Sequence, residues 1–398
     1  MTTTSHLIEE IATFLNEYRP LWEQRPFVGV PVPWEKKWPE LSTLLRSLSA
    51  ENVEKAEADP VGFLCASEVN SELGEKLQTY ADIPALDSAP IFIPPRPCRV
   101  DNLKWQQIVY FMEAIRPLRP PGVSRWIDWC AGKGHLGSLV ERQFGQPVQC
   151  LERSQSLVTN GNRLAGENNI TFYQRDVLTD NVSSFIDHRT AIVALHACGH
   201  LNARLFALAA SSMPAFMAVV PCCYQRIDGM HFTPLSNAGA AAGLRSSRHQ
   251  LRLPALDEVK STAAKRRFRK REMAFRQGAD LLVRHVSGGT EYTPLGRIPR
   301  YITRGDFREF ARFAFEKAGF ILPRDVNWKQ AEERGWERQH LVSALSISRQ
   351  LFRRVIETWL FLDRVSYLEE NGYAVTYGTF CPEEATPRNL MLLATPNK

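Results

Sequence analysis

Five residues in the middle of the chain have types and spacing that could hold a ligand: Asp128, Gly132, Gly134, Glu152 and Asp176. In the segment 126–137 (WIDWCAGKGHLG) an apolar strand runs into Ala131-Gly132-Lys133-Gly134, and a helix opens at His135-Leu136. Glycines permit a tight strand-to-helix turn and let backbone approach a ligand where a Cβ would clash. Asp128, just before the turn, opposes phosphate but suits a cofactor with an amino group and a positive sulfur. Glu152 ends the second strand, where nucleotide-binding α/β domains place an acid on ribose hydroxyls. Asp176 follows the third strand, in position to accept from an adenine amino group. Read literally, Gly132-Lys133-Gly134-His135-Leu136-Gly137 also matches the G-x-G-x-x-G pattern of dinucleotide sites, so NAD is the rival cofactor. Asp128 and two closing strands at the end of the chain argue against it.

A second group holds nucleophiles and a base. His196 and Cys198 follow the fourth apolar run, and Cys222 and Cys223 follow the fifth. Adjacent strand ends would bring these four together. Three chemistries compete: a cysteine nucleophile, a tetrahedral zinc site, or a polar floor that positions substrate and cofactor. Buried cysteine as a small hydrophobe is the bland alternative. Neither a standard zinc spacing nor a cytosine-methylating motif is present, so no metal is expected. The Asp/Asn-Pro-Pro-Tyr/Phe signature of amino-group methylation is also missing, its place being taken by His196-Ala197-Cys198-Gly199. A hydroxyl or ring-nitrogen acceptor needs a base, and His196 is the best placed.

The third group is electrostatic. Residues 260–276 carry eight Lys/Arg and one Glu in a chain of net charge +6, so the remainder is close to neutral. Lys265, Arg266, Arg267, Arg269, Lys270 and Arg271 cluster with Phe268 and Phe275. Such a run matches a phosphate backbone, and the aromatics could stack on bases, so RNA is the expected partner. The bland reading has the same charges paired with acids of the N-terminal region. Arg304, Arg308 and Arg312 would share one face of a helix capped by Thr303 and ended by Gly319.

These residues need elements to position them. From Arg125 onward, apolar runs at 125–129, 147–151, 170–174, 191–195 and 216–221 alternate with helical patterns at 136–144, 156–167, 182–187 and 202–212. That alternation implies βαβ units and a parallel sheet. Runs at 373–380 and 390–394, joined by nine residues, suit an antiparallel pair. Residues 1–95 read as a helical N-terminal accessory region, and 90–97 (PIFIPPRP) as a linker. Residues 100–227 and 345–398 would form the α/β domain, with 228–344 a long, mainly helical, basic insertion. No stretch is apolar enough to span a membrane, and no basic start precedes an apolar run. With eight scattered cysteines, that points to reduced thiols in a cytoplasm.

The motifs also resemble a family. Asp128-Trp129-Cys130-Ala131-Gly132-Lys133-Gly134 looks like motif I of class I S-adenosylmethionine-dependent methyltransferases, with Cys130 where their first glycine often stands. Together with Leu195-His196-Ala197-Cys198-Gly199, Pro221-Cys222-Cys223-Tyr224 and Thr386-Pro387-Arg388-Asn389, it resembles the methyltransferase-like, rRNA adenine dimethylase-like subgroup. The eukaryotic tRNA 2′-O-methyltransferases are more distantly similar. The resemblance implies a Rossmann-like seven-stranded sheet, five parallel strands and an antiparallel closing hairpin, and S-adenosylmethionine as cofactor. It implies that Asp128, Cys130, Ala131, Gly132, Lys133, Gly134, Glu152, Asp176 and Val177 bind that cofactor. His196, Cys198, Cys222, Cys223 and Tyr224 would stand at the reacting centre, and Lys265–Arg271 on RNA. The alternatives are a protein or small-molecule methyltransferase, or a non-catalytic RNA-binding protein that keeps a cofactor pocket.

Overall fold

The computed structural model describes residues 3–97, 100–118, 122–255 and 262–397. The chain divides into two compact units: residues 1–17, 80–256 and 354–398 in one, and 18–79 and 257–353 in the other. The sequence boundaries at 95, 228 and 344 do not follow this division. The N-terminal region is split, residues 1–17 and 80–95 going to one unit and 18–79 joining the basic helices in the other.

The first unit is built on a seven-stranded sheet: β1 (Arg125–Trp129), β2 (Val148–Glu152), β3 (Ile170–Gln174), β4 (Thr190–Cys198), β5 (Phe216–Cys222), β6 (Tyr373–Thr379) and β7 (Leu390–Pro396). Their order is β3-β2-β1-β4-β5-β7-β6. β1 to β5 are parallel, and β7 runs antiparallel between β5 and β6. All seven expected strands are present, each end within three residues of its expected place. β5 is buried along its whole length, which explains why its apolar run does not alternate: both faces are covered. Trp126 on β1 stacks on Phe144 and meets the edge of Phe216, filling one side of the sheet together with Phe111, Met112 and Ile115 of helix Asn102–Ile115. Helix Thr4–Glu17 belongs to the same unit, where Trp359 Nε1 donates to the Ile8 carbonyl at 3.2 Å. The expected helix over 182–187 is only a short 3-10 turn, Ser183–Phe185.

The second unit is helical. Helices Ala263–Ser287 and Trp328–Gln350 lie against each other with backbones in near contact, since a Cβ at Gly335 would meet the Ala274 carbonyl at 2.5 Å. Phe275, Phe307 and Phe310 form their aromatic core. Helix Phe307–Ala318 is capped by Asp306, which accepts from Glu309 N at 2.7 Å. Thr303, the expected cap, lies buried in a separate short helix, Arg300–Arg304, so Arg304 does not share a helix with Arg308 and Arg312. Gly319 ends the longer helix as expected, at φ +72°. No described helix is long and apolar enough to cross a membrane.

Candidate active site at the carboxyl ends of the strands

The turn after β1 has a left-handed backbone at three of five residues: Cys130 (φ 61°), Gly132 (φ 60°) and Gly134 (φ 72°). Gly134 also has no room for a side chain, because a Cβ there would meet Phe172 at 2.4 Å. Gly132 is different, with nothing within 4 Å of where its Cβ would stand. Its amide donates to Glu152 Oε2 at 3.0 Å, and Ser154 N donates to Oε1 at 2.8 Å. The carboxylate at the end of β2 is thus locked against the turn by two backbone donors.

A cavity of about 320 Å³ opens beside this turn. Of the expected cofactor residues, Cys130, Glu152, Asp176 and Val177 line it. Asp176 accepts from Leu178 N at 3.1 Å and faces Arg153 at 3.7 Å. Sequence reading missed four polar wall residues: Arg153, Arg175, His200 and Arg226. Three of them stand beside an expected residue in the chain or in the Cys-Gly-His sequence, but arginine near an expected cation-binding acid carried no signal. Ala131, Lys133 and the two glycines belong to the turn but do not form the cavity wall.

Asp128 is placed otherwise than expected. It is buried, and its Oδ2 accepts from Gly137 N at 2.9 Å, pinning β1 to the helix His135–Phe144. Burial pushes its carboxyl up to about 7, against the pull of the Gly137 N–H. It does not line the cavity. Burial likewise pushes the Cys130 thiol up to about 12, with Glu152 adding to the effect.

His196 and Cys198 lie inside β4 rather than after it, and Cys222 lies inside β5. His196 is a bulge: Leu195 pairs with Val220 and Ala197 with Pro221, leaving His196 unpaired at φ 60°. Bulges beside functional sites re-aim a side chain. The His196 ring meets Gln107 Oε1 at 2.9 Å through Nε2. Gln107 donates its amide nitrogen to the Ala385 carbonyl, so its oxygen faces the histidine. Nε2 therefore carries the proton and Nδ1 a free lone pair, and Nδ1 has no partner among the described residues. Burial pushes the ring down to about 4, and Arg388 adds to this, so it is neutral at pH 7.

The bulge carries Cys198 onto Cys222, its register partner, with Sγ atoms 3.4 Å apart. Cys223 follows at φ 49°, and all three sulfurs lie within 4.8 Å of one another. Hydrogen bonds from Cys198 and then Cys222 hold the Cys223 thiol well below its usual range, with Arg388 and Arg226 contributing. The Cys222 thiol is driven up by Cys198 and then Cys223, with burial adding to the effect. Gly199 closes the assembly. A Cβ there would sit 2.2 Å from the Arg226 carbonyl, and its own amide donates to Cys222 O at 2.9 Å. Tyr224 is fully buried beneath the Arg364 guanidinium and faces a narrow crevice with Cys223 and Arg388, not the larger cavity.

The basic run forms the first turns of helix Ala263–Ser287, capped by Thr262. Lys265, Arg266, Arg267 and Arg269 are exposed, while Lys270 and Arg271 are half-buried. Lys270 pairs with Glu54 at 2.5 Å, and Arg271 donates to the Gly305 carbonyl at 2.5 Å. The aromatics are not free for bases: Phe275 is in the core and Phe268 lies under Arg300. Lys260 lies outside the described residues.

Residues 103–230 match a family model described as "Methyltransferase domain" (Methyltransf_32). That stretch holds β1 to β5 and the turn after β1. The chain is 30% identical over 125 residues to a Xenopus laevis protein named "Glutathione S-transferase C-terminal domain-containing protein", covering 30% of this chain and 19% of that one. It thus spans about a fifth of that relative's length. Among solved structures, it is similar to the plantazolicin methyltransferase BpumL in complex with SAH, at 9% identity and TM-score 0.29, over 92% of this chain and 99% of that one. The sugar N-methyltransferase KedS8 from Streptoalloteichus sp. is similar at 16% identity and TM-score 0.24, over 37% and 64%.

Proposed function

We propose that the chain is an S-adenosylmethionine-dependent methyltransferase and that its acceptor is RNA. The observation that carries the first half is the alignment of Glu152 beneath the Gly132 amide, at the wall of a cavity within the matched domain. The residues fit the cofactor. The cavity is in the size range of small-molecule sites. Glu152 still has lone pairs for ribose hydroxyls, Asp176 stands one strand further along, and Gly132 leaves a cradle that a Cβ would fill.

When bound, S-adenosylmethionine supplies an electrophilic methyl group on a sulfonium. The chain must then hold the acceptor and take its proton. His196 suits that task by its neutral ring, its Nε2 fixed by Gln107 and its buried Nδ1 that lacks a partner among the described residues. Cys198 joins the wall of the cofactor cavity to the thiol cluster, so the cluster serves to position the acceptor.

Support for RNA is the run Lys265, Arg266, Arg267 and Arg269, four exposed cations on two turns of helix. Calorimetry should show binding of S-adenosylmethionine and its demethylated product and none of NAD; the reverse result would overturn the cofactor. For the acceptor, replacing those four cations by Ala should flatten the slope of log affinity for RNA against log salt by roughly 2–3. Lys270 is left in place because it is half-buried. An unchanged slope would turn the reading to a protein or small-molecule acceptor, and labelled methyl transfer to total RNA against total protein would confirm the choice.

A further inference from the structure

We propose that Cys198, Cys222 and Cys223 form a three-thiolate site for zinc, with its fourth coordination position left to water or to a donor atom of an entering ligand. The three sulfurs lie within 4.8 Å of one another, and no histidine or carboxylate atom of the described residues joins them in that span. Tetrahedral zinc with sulfur ligands at about 2.3 Å needs sulfurs roughly 3.8 Å apart, so small rotations of the side chains close the site. Cys198 and Cys222 already stand at 3.4 Å. Thiolates select soft or borderline ions such as zinc over magnesium or calcium.

The backbone has been shaped to bring the sulfurs together. Cys198 arrives through the bulge at His196, Cys223 takes a left-handed conformation, and the Gly199 amide ties the end of β4 to the Cys222 carbonyl. Such departures from regular backbone cost free energy and persist where surrounding structure imposes them. Charge also balances. Three thiolates and one zinc ion leave a net charge of −1, and the Arg226 and Arg388 guanidiniums act on Cys223 from outside the cluster. The polar surroundings are unsatisfied as well: His196 Nδ1, Tyr224 Oη, Gln225 Oε1 and Arg388 Nε are buried without a partner among the described residues. Buried polar atoms usually have partners, so this many in one neighbourhood marks a place that binds something.

The sequence argued against metal because the ligands come from two neighbouring strand ends, not from a Cys-x-x-Cys turn. The wall formed by Cys198 joins it to the cofactor cavity, which gives the fourth position access to a ligand. The inference does not depend on methyl transfer, and metal binding can be read without it.

The full chain, purified anaerobically with reductant, is titrated with zinc against a chromogenic chelator and separately loaded with cobalt. One tightly held zinc per chain is expected, with thiolate-to-cobalt charge-transfer bands and tetrahedral d–d bands. Cys223→Ser should weaken zinc by at least about tenfold. Cys222→Ser should do the same; should that variant not fold, Cys198→Ser takes its place. Cys65→Ser should leave metal binding unchanged. No zinc retained and no charge-transfer band in the wild type would overturn the proposal. So would bands that survive in Cys223→Ser, or a Cys198–Cys222 disulfide recovered from freshly lysed cells, which would identify a redox pair instead.

Discussion

The ends of β1 to β3 and the ends of β4 and β5 lie on one edge of one sheet, yet they solve different problems. The first region uses carboxylates, and each carboxylate of known placement accepts backbone N–H bonds: Glu152 from Gly132 and Ser154, Asp176 from Leu178, Asp128 from Gly137. The second uses sulfur and imidazole, and several of its polar atoms have no partner among the described residues. A satisfied region is already shaped for a ligand that adds hydrogen bonds at its rim. An unsatisfied one is shaped for a ligand that completes it. The contrast therefore separates a cofactor wall from a reacting or metal-holding centre.

The largest effect should come from Gly199, the joint of the second region. Gly199→Ala places a Cβ against the Arg226 carbonyl, a backbone atom that cannot swing aside, at a φ of +49°. The combined clash and left-handed strain should cost about 3 kcal/mol or more, read as a lowered midpoint in denaturant. A variant as stable as wild type would show that the end of β4 is loose and the cluster not enforced.

Glu152→Ala tests the first region. It removes a charged acceptor from ribose hydroxyls and frees the Gly132 amide, so S-adenosylmethionine affinity should fall by about 1–3 kcal/mol with little change in the second region. Calorimetry on the variant checks this. Gly132→Ala should be milder on stability, about 1–2 kcal/mol for a left-handed alanine, because nothing in the protein opposes its Cβ. Cofactor affinity should nonetheless drop, since that Cβ enters the cradle. An alanine variant that binds as well as wild type would move the cofactor away from this turn.

The same contrast explains what was legible in the sequence. Strands β1 to β5 could be placed because period and turn residues are local signals, and Glu152 followed from its distance along one βα unit. The bulge at His196 could not be read, because it exists only through the register of β4 against β5. The convergence of Cys198 with Cys222 was legible as a meeting of adjacent strand ends, while their exact pairing is a consequence of register. For the basic run, charge was legible but its neighbours were not: Glu54 is far away in sequence from Lys270, and burial of Phe275 depends on Phe307 and Phe310. The split of the N-terminal region between two units is of the same kind, set by contacts with residues hundreds of positions away.

Asp128 gives an effect that varies with pH and the sharpest test of whether all three acids of the first region do the same work. The sequence treats it as a ligand to the cofactor, while the structure buries it on Gly137 N, away from the cavity. Its carboxyl is raised to about 7 by burial. In an unfolded chain it would ionise near 4. A raised carboxyl pKa means the folded state holds its proton longer, so stability is full below about pH 4 and is lost as pH climbs toward 7. The slope can reach about 1.4 kcal/mol per pH unit within that window. Asp128→Asn keeps an oxygen to accept from Gly137 N and removes the ionisation. The variant should therefore gain on the wild type steadily between pH 5 and 7, measured as paired denaturation midpoints, while its S-adenosylmethionine affinity stays within about threefold. A flat difference across that range together with a large loss of affinity would return Asp128 to the cofactor wall.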